Sequence, residues 1–120
     1  METVRASFTW TGPDHDALRL WREPPSHVPI SSDVLDGDIA LFREIDADDE
    51  PTGPIAGVEI VGFLTFDRWR HLPKTRLLWQ LPGWPPLTLG ALLKRLQREL
   101  RAESGSPWQR APRQREAAAV

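Results

Sequence analysis

Cysteine and tyrosine are both absent from this chain of 120 residues. Without cysteine the chain can form no disulfide framework, no thiolate nucleophile and no cysteine-ligated zinc or iron–sulfur site. No apolar run reaches the roughly 18 residues of a membrane-spanning helix, and the first ten residues lack the apolar centre of a signal peptide. We therefore expect a cytoplasmic protein that has no membrane partner.

The motifs of the common enzyme classes are also missing. The sequence contains no Gly-x-Ser-x-Gly, no phosphate loop, no dinucleotide fingerprint and no His-Glu-x-x-His. No nucleophile and base are recognisable as a pair. These absences predict a protein that is not an enzyme and that uses neither a cofactor nor a metal.

Charge is present in both signs, but the two signs occupy different halves of the chain. Residues 1–67 carry 14 acidic and 4 basic side chains, whereas residues 68–120 carry 3 acidic and 11 basic ones. We expect the basic part to dock on the acidic part of the same chain or of a sister chain. Nucleic acid is disfavoured as a partner because the acidic half would repel phosphate, whereas an acidic or mixed protein partner stays open.

The longest apolar run, Pro54–Phe66, is predicted to be the principal strand because it is rich in β-branched and aromatic residues. Alternation places Val58, Ile60, Leu64 and Phe66 on one apolar face. The opposite face begins with Glu59 and then turns apolar at Val61 and Phe63. Another element or a second copy must cover that part of the face.

Four segments before this run are predicted to be shorter strands, and Asp36-Gly37 is typical of a tight hairpin turn. Their connections are too short for the crossovers that parallel pairing needs. We therefore predict a five-stranded antiparallel meander over residues 3–66. The four segments span residues 4–10, 17–22, 27–34 and 39–45.

The residues after Phe66 favour helices. A helical turn over residues 67–72 capped by Asp67 is predicted first, followed by a second short helix from Pro73 to Leu81. The strongest helix begins after Thr88, which is a candidate N-cap. Its apolar stripe consists of Leu89, Leu92, Leu93, Leu96 and Leu100.

Together these segments predict an α+β fold, with a helical C-terminal extension packed on an antiparallel sheet. Residues 1–103 form a single domain, in which residues 3–66 are the sheet and residues 67–103 are the extension. The remaining residues, 104–120, are predicted to be a disordered tail because Gly, Pro and Ser interrupt any apolar periodicity.

Six tryptophans are unusual in so short a chain, and three of them lie between the sheet and the helix. Tryptophan suits both internal seams and interface centres. The leucine stripe is also wider than one contact line needs, which favours a homodimer. The residues predicted to form the association surface are Val61, Phe63, Trp69, Trp79, Trp84, Leu89, Leu92, Leu96 and Leu100; Trp108 in the tail has no core to join.

The histidines and acidic clusters favour structural roles. The triplet Asp14-His15-Asp16 follows a Gly-Pro turn, and His71 is isolated in the sequence. The acidic stretch 46–53 does not match a calcium loop that starts at Asp46. Position six is Pro51 instead of the required glycine, and position twelve is Gly57 instead of the required glutamate. The least unfavourable polar set for a ligand or metal is Asp14, His15 and His27. Residues Asp33, Asp36 and Asp38 are interpreted as hairpin residues.

Three segments, Asp16–Leu20, Asp36–Leu41 and Ile55–Ile60, resemble a small bacterial family known as domain of unknown function 2283. Its members typically read Asp-Ala-Leu-Tyr-Ile, a central Asp-Gly before an extended apolar stretch, and Val-Gly-Ile-Glu-Ile. The resemblance covers residues 3–66. It implies a compact antiparallel sheet and no known activity.

The chain departs from this family pattern in three ways. Arginine and tryptophan stand where Tyr-Ile-like residues are usual, the acidic loop is longer, and a helical extension follows the sheet. We expect a specific function to reside in that extension.

The functional hypothesis from sequence is a non-catalytic protein-interaction module that forms a homodimer. An antitoxin-like or immunity-type inhibitor is one specific form of it, by analogy with other small cysteine-free proteins. The alternative is a small ligand-binding or metal-binding protein, or an enzyme, with a pocket between sheet and helix.

Overall fold

A computed structural model describes residues 2–23, 30–45 and 54–104. Seven strands and one α-helix are found there, together with 3-10 turns at Phe63–Thr65 and Trp69–His71. The strands are β1 (Thr3–Trp10), β2 (Ala17–Glu23), β3 (Ile30–Asp36), β4 (Ile39–Glu44), β5 (Ile55–Val61), β6 (Leu78–Gln80) and β7 (Leu87–Thr88), and the helix is α1 (Leu89–Glu103).

The seven strands form one sheet in the order β3-β4-β5-β2-β1-β6-β7. Antiparallel pairing among β1 to β5 and the overall α+β class are confirmed. The predicted five-stranded meander is wrong in two respects. The sheet has seven strands and is mixed, since β1 pairs with β6 in parallel, and β2 pairs with β5 instead of β3.

The apolar content of the strands explains this order. Strand β5 has the most continuous apolar sequence, and it takes a central position in which β4 and β2 pair with its two edges. Strand β3 has no buried residue and lies at the edge. The hairpin predicted at Asp36-Gly37 is confirmed, with Asp36 paired to Ile39 and Gly37 at a φ of 39°.

The principal strand is shorter than predicted. It ends at Val61, because Gly62 adopts a left-handed conformation with a φ of 73°. The chain then forms the first 3-10 turn, and this turn directs Phe63 into the core, where it is fully buried. Phe63 has therefore left the face that it was predicted to share with Val61, and of the two only Val61 is exposed.

The predicted helix from Pro73 to Leu81 is wrong, because strand β6 occupies its second half. Thr3 to Arg5 pair with Leu78 to Gln80, and the backbone N–H of Leu78 donates to the carbonyl oxygen of Glu2 at 2.8 Å. Pairing at this edge places Trp79 in the core. The turn predicted near residues 67–72 is present, but Arg68 takes its N-cap position with no side-chain hydrogen bond, so Asp67 is not the cap.

Helix α1 packs on one face of the sheet, as predicted. The Thr88 hydroxyl accepts a hydrogen bond from the Ala91 N–H at 3.3 Å, which confirms the predicted N-cap. The stripe leucines of α1 meet Val4, Leu18, Leu20, Ile39, Leu41, Val58 and Ile60 in a single hydrophobic core.

One buried polar side chain joins the helix to the turn after β5. The Nε2 of Gln97 donates hydrogen bonds to the carbonyl oxygens of Phe63 at 2.7 Å and Phe66 at 2.8 Å. Arg101 donates from Nε to the Leu64 carbonyl oxygen at 2.6 Å. These bonds fix α1 against a segment that has left the sheet and whose carbonyls need partners.

Several predictions fall on other parts of the chain. His27 and the start of its predicted strand, the acidic loop at 46–53 and Trp108 in the tail lie outside the described residues. Within the described residues, no helix has both the length and the apolar character that crossing a membrane requires.

Candidate functional site

The residues predicted to form an association surface are divided by the fold into two groups. Most of them belong to the core of the single chain and are not accessible on its surface. The buried members are Phe63, Trp79, Leu89, Leu92, Leu96 and Leu100. Val61 is 46% exposed, and Trp69 and Trp84 are half-buried. The leucine stripe of the helix is therefore buried within the chain. The face of the sheet opposite the helix remains accessible.

Trp69 and Trp84 contact the helix and are each covered by one of its cations. The Lys94 ammonium lies 5.8 Å from the Trp69 ring centroid, and the Arg95 guanidinium lies 4.2 Å from that of Trp84. Phe66 meets Trp69 edge to face with centroids 4.9 Å apart. Both tryptophans thus pack between helix α1 and the segment that precedes it.

The face of the sheet opposite α1, here called the outer face, has an aromatic pair at its centre. Trp21 on β2 and Phe42 on β4 stack with centroids 4.9 Å apart. Between them lies Gly57 on β5, paired to both residues. A Cβ atom on Gly57 would lie 2.6 Å from the Leu20 carbonyl oxygen and 2.7 Å from a Trp21 ring carbon. Only glycine therefore lets the two rings meet across β5.

Polar residues surround the aromatic pair on the outer face. Arg19 donates from Nε to Glu59 Oε2 at 2.8 Å across β2 and β5. The Ser7 hydroxyl donates to Glu23 Oε2 at 2.6 Å. An aromatic centre with a polar surround is the usual composition of a protein-binding surface. The sequence analysis missed this site because its residues come from three separate strands.

The edge strand β3 is the most exposed apolar element. Val34 is 69% exposed, Leu35 43% and Ile30 39%. Among the described residues, no strand pairs with the free side of β3. Exposed edges of this length attract further strands.

A charged cluster joins the β3–β4 hairpin to the second 3-10 turn. Arg68 donates from Nε to Asp36 Oδ2 at 2.8 Å and from Nη2 to Asp38 Oδ2 at 2.6 Å. His71 Nδ1 lies 2.6 Å from the same Asp36 oxygen. Asp36 and Asp38 of the hairpin are thus paired with residues that lie 30 or more positions away in the sequence. An open groove beside this cluster is lined by Leu35, Asp36, Leu41, Arg43, His71 and Pro73.

This cluster only partly fulfils the expectation that the basic part docks on the acidic part. Arg68 and His71 link the two parts of the chain. Arg95 pairs instead with Glu99 in its own helix at 3.5 Å, as its spacing predicts. Among the described residues, no carboxylate is within ion-pair distance of Lys94 or Arg98. Apolar packing, more than charge, therefore holds the helix on the sheet.

The cluster predicts a specific acid sensitivity. The hydrogen bond from His71, followed by that from Arg68, holds the pKa of the Asp36 carboxyl below its usual value. The unfolded chain therefore takes up this proton first, near its ordinary pKa of about 3.9, and the free energy of unfolding falls as the pH drops below that value. Asp36→Asn should remove this part of the slope in melting temperatures measured from neutral pH into acid. An unchanged slope in Asp36→Asn would contradict the assignment.

Asp16, the last residue of the triplet Asp14-His15-Asp16, has a structural role. Asp16 has a φ of 47°, accepts a hydrogen bond from the Trp10 indole at 2.9 Å, and accepts another from the Leu64 backbone N–H at 2.8 Å. Its side chain therefore joins the β1–β2 turn to the turn after β5. Asp14 and His15 are exposed beside it. Within the described residues, no group of three or more His, Asp or Glu side chains could hold a metal ion.

Comparison with known proteins adds no relative: no family model, no curated protein and no solved structure matches this chain.

Proposed function

We propose that this protein is a non-catalytic protein-interaction module that acts as a homodimer and binds a protein partner through the outer face. The observation that carries the proposal is the half-exposed stack of Trp21 and Phe42. Large aromatic side chains dominate the binding energy of protein interfaces. No described element covers this pair on its solvent side.

The charge of the outer face supports a protein partner. In the described part of the chain, Arg5 and Arg19 are the arginines that β1 and β2 place on this face, and Arg19 is paired with Glu59, so these strands present no basic cluster. Phosphate recognition needs such a cluster. The basic residues of α1 lie on the opposite side of the molecule. The partner's contact surface is therefore apolar at its centre and carries hydrogen-bonding groups around it.

An antitoxin-like or immunity-type inhibitor is a specific form of this proposal, and the bound partner would then be the protein that it inhibits. We also propose that residues 3–66, which resemble domain of unknown function 2283, form a unit shared with that family. The segment 67–103 would be an addition particular to this chain. It supplies β6, β7 and α1. Because α1 covers the opposite face of the sheet, the outer face is the one that remains available to a partner.

The test uses charge placed at the centre of the outer face. Phe42→Glu and, without breaking the stack, Val61→Glu should each weaken binding to the partner at least tenfold, because both bury a carboxylate against apolar atoms. The partner is first captured by the full-length chain from its native lysate, and it is then purified for titration. Arg98→Glu, on the exposed side of α1, is the matched control and should bind as the wild type does.

Circular dichroism would confirm that each variant is folded before its affinity is compared. The proposal fails if both folded outer-face variants retain wild-type affinity, or if Arg98→Glu is the variant that loses binding. The second result would assign recognition to the basic helix.

A further inference from the structure

Among the described residues, strand β3 ends the sheet and no strand pairs with its free side. The direction of its backbone groups follows from the ladder. The Val61 N–H donates to the Asp38 carbonyl at 2.9 Å, and the Glu44 N–H donates to the Pro54 carbonyl at 3.0 Å. Backbone groups of successive strand residues point to opposite sides. The even-numbered residues of β4 therefore face β5, and its odd-numbered residues face β3.

The pairing register transfers this alternation to β3. The odd-numbered β4 residues Ile39, Leu41 and Arg43 are paired with Asp36, Asp33 and Ser31, respectively. Those β3 residues therefore use their backbone groups within the chain. Up to the register shift between Val34 and Asp36, the alternate residues Ile30, Ser32 and Val34 direct their N–H and C=O groups to the free edge.

We propose that β3 of one chain pairs in antiparallel fashion with β3 of a second copy, about a two-fold axis at Ser32. Each outward-facing residue then exchanges N–H···O=C bonds with a residue of the second copy. The two sheets join into one continuous sheet across the dimer, with a helix layer on each half. This inference rests on the homodimer in the proposed function and specifies its interface.

The side chains of β3 match in this register. Ile30 lies opposite Val34 of the second copy on the outer face, so two exposed apolar side chains cover each other. Ser31 lies opposite Asp33 of the second copy, and its hydroxyl, which is buried in the single chain, has no hydrogen-bond partner among the described residues. A turn of the Ser31 side chain toward the axis brings this hydroxyl to the Asp33 carboxylate. A carboxylate in that position is an acceptor for it.

The neighbouring register is less favourable. An axis at Asp33 would place two Asp33 carboxylates directly opposite each other, in the closest pair of an antiparallel ladder, where like charges destabilise. It would also bring Val34 against Ser32 and leave Ile30 without an apolar partner. The strand is therefore self-complementary in the register centred on Ser32, which favours a second copy over an unrelated strand as the occupant.

Disulfide trapping tests the axis directly, because the chain contains no cysteine. In a bonded antiparallel pair the Cα atoms are about 5.5 Å apart, within the range that a disulfide spans. Ser32→Cys should therefore give a covalent dimer rapidly under mild oxidation. Thr9→Cys, on β1 and away from the edge, is the matched single-cysteine control and should cross-link at least tenfold more slowly.

A second pair of variants tests the backbone bonds. Val34→Pro removes an N–H that points away from β4, so the monomer is expected to fold, whereas a bond across the axis is lost on both sides. Its dimer dissociation constant, measured by analytical ultracentrifugation, should rise at least tenfold. Val34→Thr retains the N–H and the branched Cβ, and should keep the wild-type value within about threefold.

The outcomes separate this inference from the proposed function. If the wild type is dimeric but Ser32→Cys is trapped no faster than Thr9→Cys, or Val34→Pro dimerises normally, the dimer uses another surface and only this inference falls. A wild type that stays monomeric at micromolar concentration overturns the homodimer itself. Binding of the partner through the outer face is then judged by Phe42→Glu and Val61→Glu alone.

Discussion

Leu96→Ala is expected to lower the free energy of unfolding by about 2 to 5 kcal/mol. Leu96 is almost fully buried in the middle of α1, where the helix meets the apolar face of the sheet. Removing its branched end loses transfer free energy and leaves a cavity that a rigid sheet cannot close. Small domains have only about 5 to 15 kcal/mol in total, so the variant should lose much of its stability.

Urea denaturation followed by tryptophan fluorescence measures this loss, and Arg98→Glu is the control from the exposed side of the same helix. Arg98→Glu should change stability by less than about 0.5 kcal/mol. Near-equal stabilities of wild type and Leu96→Ala would show that α1 is not docked as described. Because the leucine stripe is internal, a folded fraction of Leu96→Ala should keep the association state of the wild type.

The second large effect is expected at Gln97, where the side-chain amide donates to the carbonyl oxygens of Phe63 and Phe66. Gln97→Glu replaces that donor by a carboxylate that faces two carbonyl dipoles in a buried site. An uncompensated buried charge of this kind costs about 3 to 5 kcal/mol near neutral pH. Burial and the facing carbonyls should raise the pKa of the introduced carboxyl, so that it stays protonated in the folded chain at pH values where the unfolded chain is ionised.

The pH dependence of the Gln97→Glu variant is the discriminating measurement. Above the ordinary glutamate pKa of about 4.3 the folded state binds the extra proton, so the stability deficit relative to wild type should grow as the pH rises. Gln97→Leu, which leaves the carbonyls without a donor but adds no charge, should cost about 1 to 3 kcal/mol at every pH. A pH-independent deficit in Gln97→Glu would mean that the side chain has rotated out to solvent.

Local signals predicted much of the fold. The leucine spacing and the Thr88 cap defined α1, because both depend on residues within a few positions of each other. Alternation identified the strands before Phe66, and Asp36-Gly37 identified the hairpin. Each of these patterns lies within a short stretch of sequence. Each depends on residues that are close together in the chain.

The features that sequence reasoning missed all depend on contacts between distant residues. The pairing of β2 with β5 depends on which strand has enough apolar surface for a central position in the sheet. That can be decided only by comparing all strands of the chain. Strand β6 has only three residues, and its pairing with β1 has no local signature. The stack of Trp21 and Phe42 exists because Gly57 lies between them, and neither aromatic residue indicates the other in the sequence.

The same long-range topology explains why Asp16 and His71 were underestimated. Asp16 accepts its hydrogen bonds from Trp10 and Leu64, and His71 meets Asp36, so their roles appear only once separate turns are brought together. A histidine with no acidic residue beside it in the sequence is interpreted as an ordinary surface residue. The partner that changes this interpretation lies 35 positions away.

The parallel pair of β1 and β6 also bears on how the chain acquires its structure during synthesis. Strand β1 completes its second ladder only with Leu78 to Gln80, and α1 follows later still. A ribosome that has released residues 1–66 has therefore delivered five strands whose apolar side is still bare. Contacts of such sequence separation form slowly, and exposed apolar sheets aggregate. The acidic excess of those first residues gives emerging chains like charge, which opposes their association before the basic, leucine-bearing segment covers the sheet.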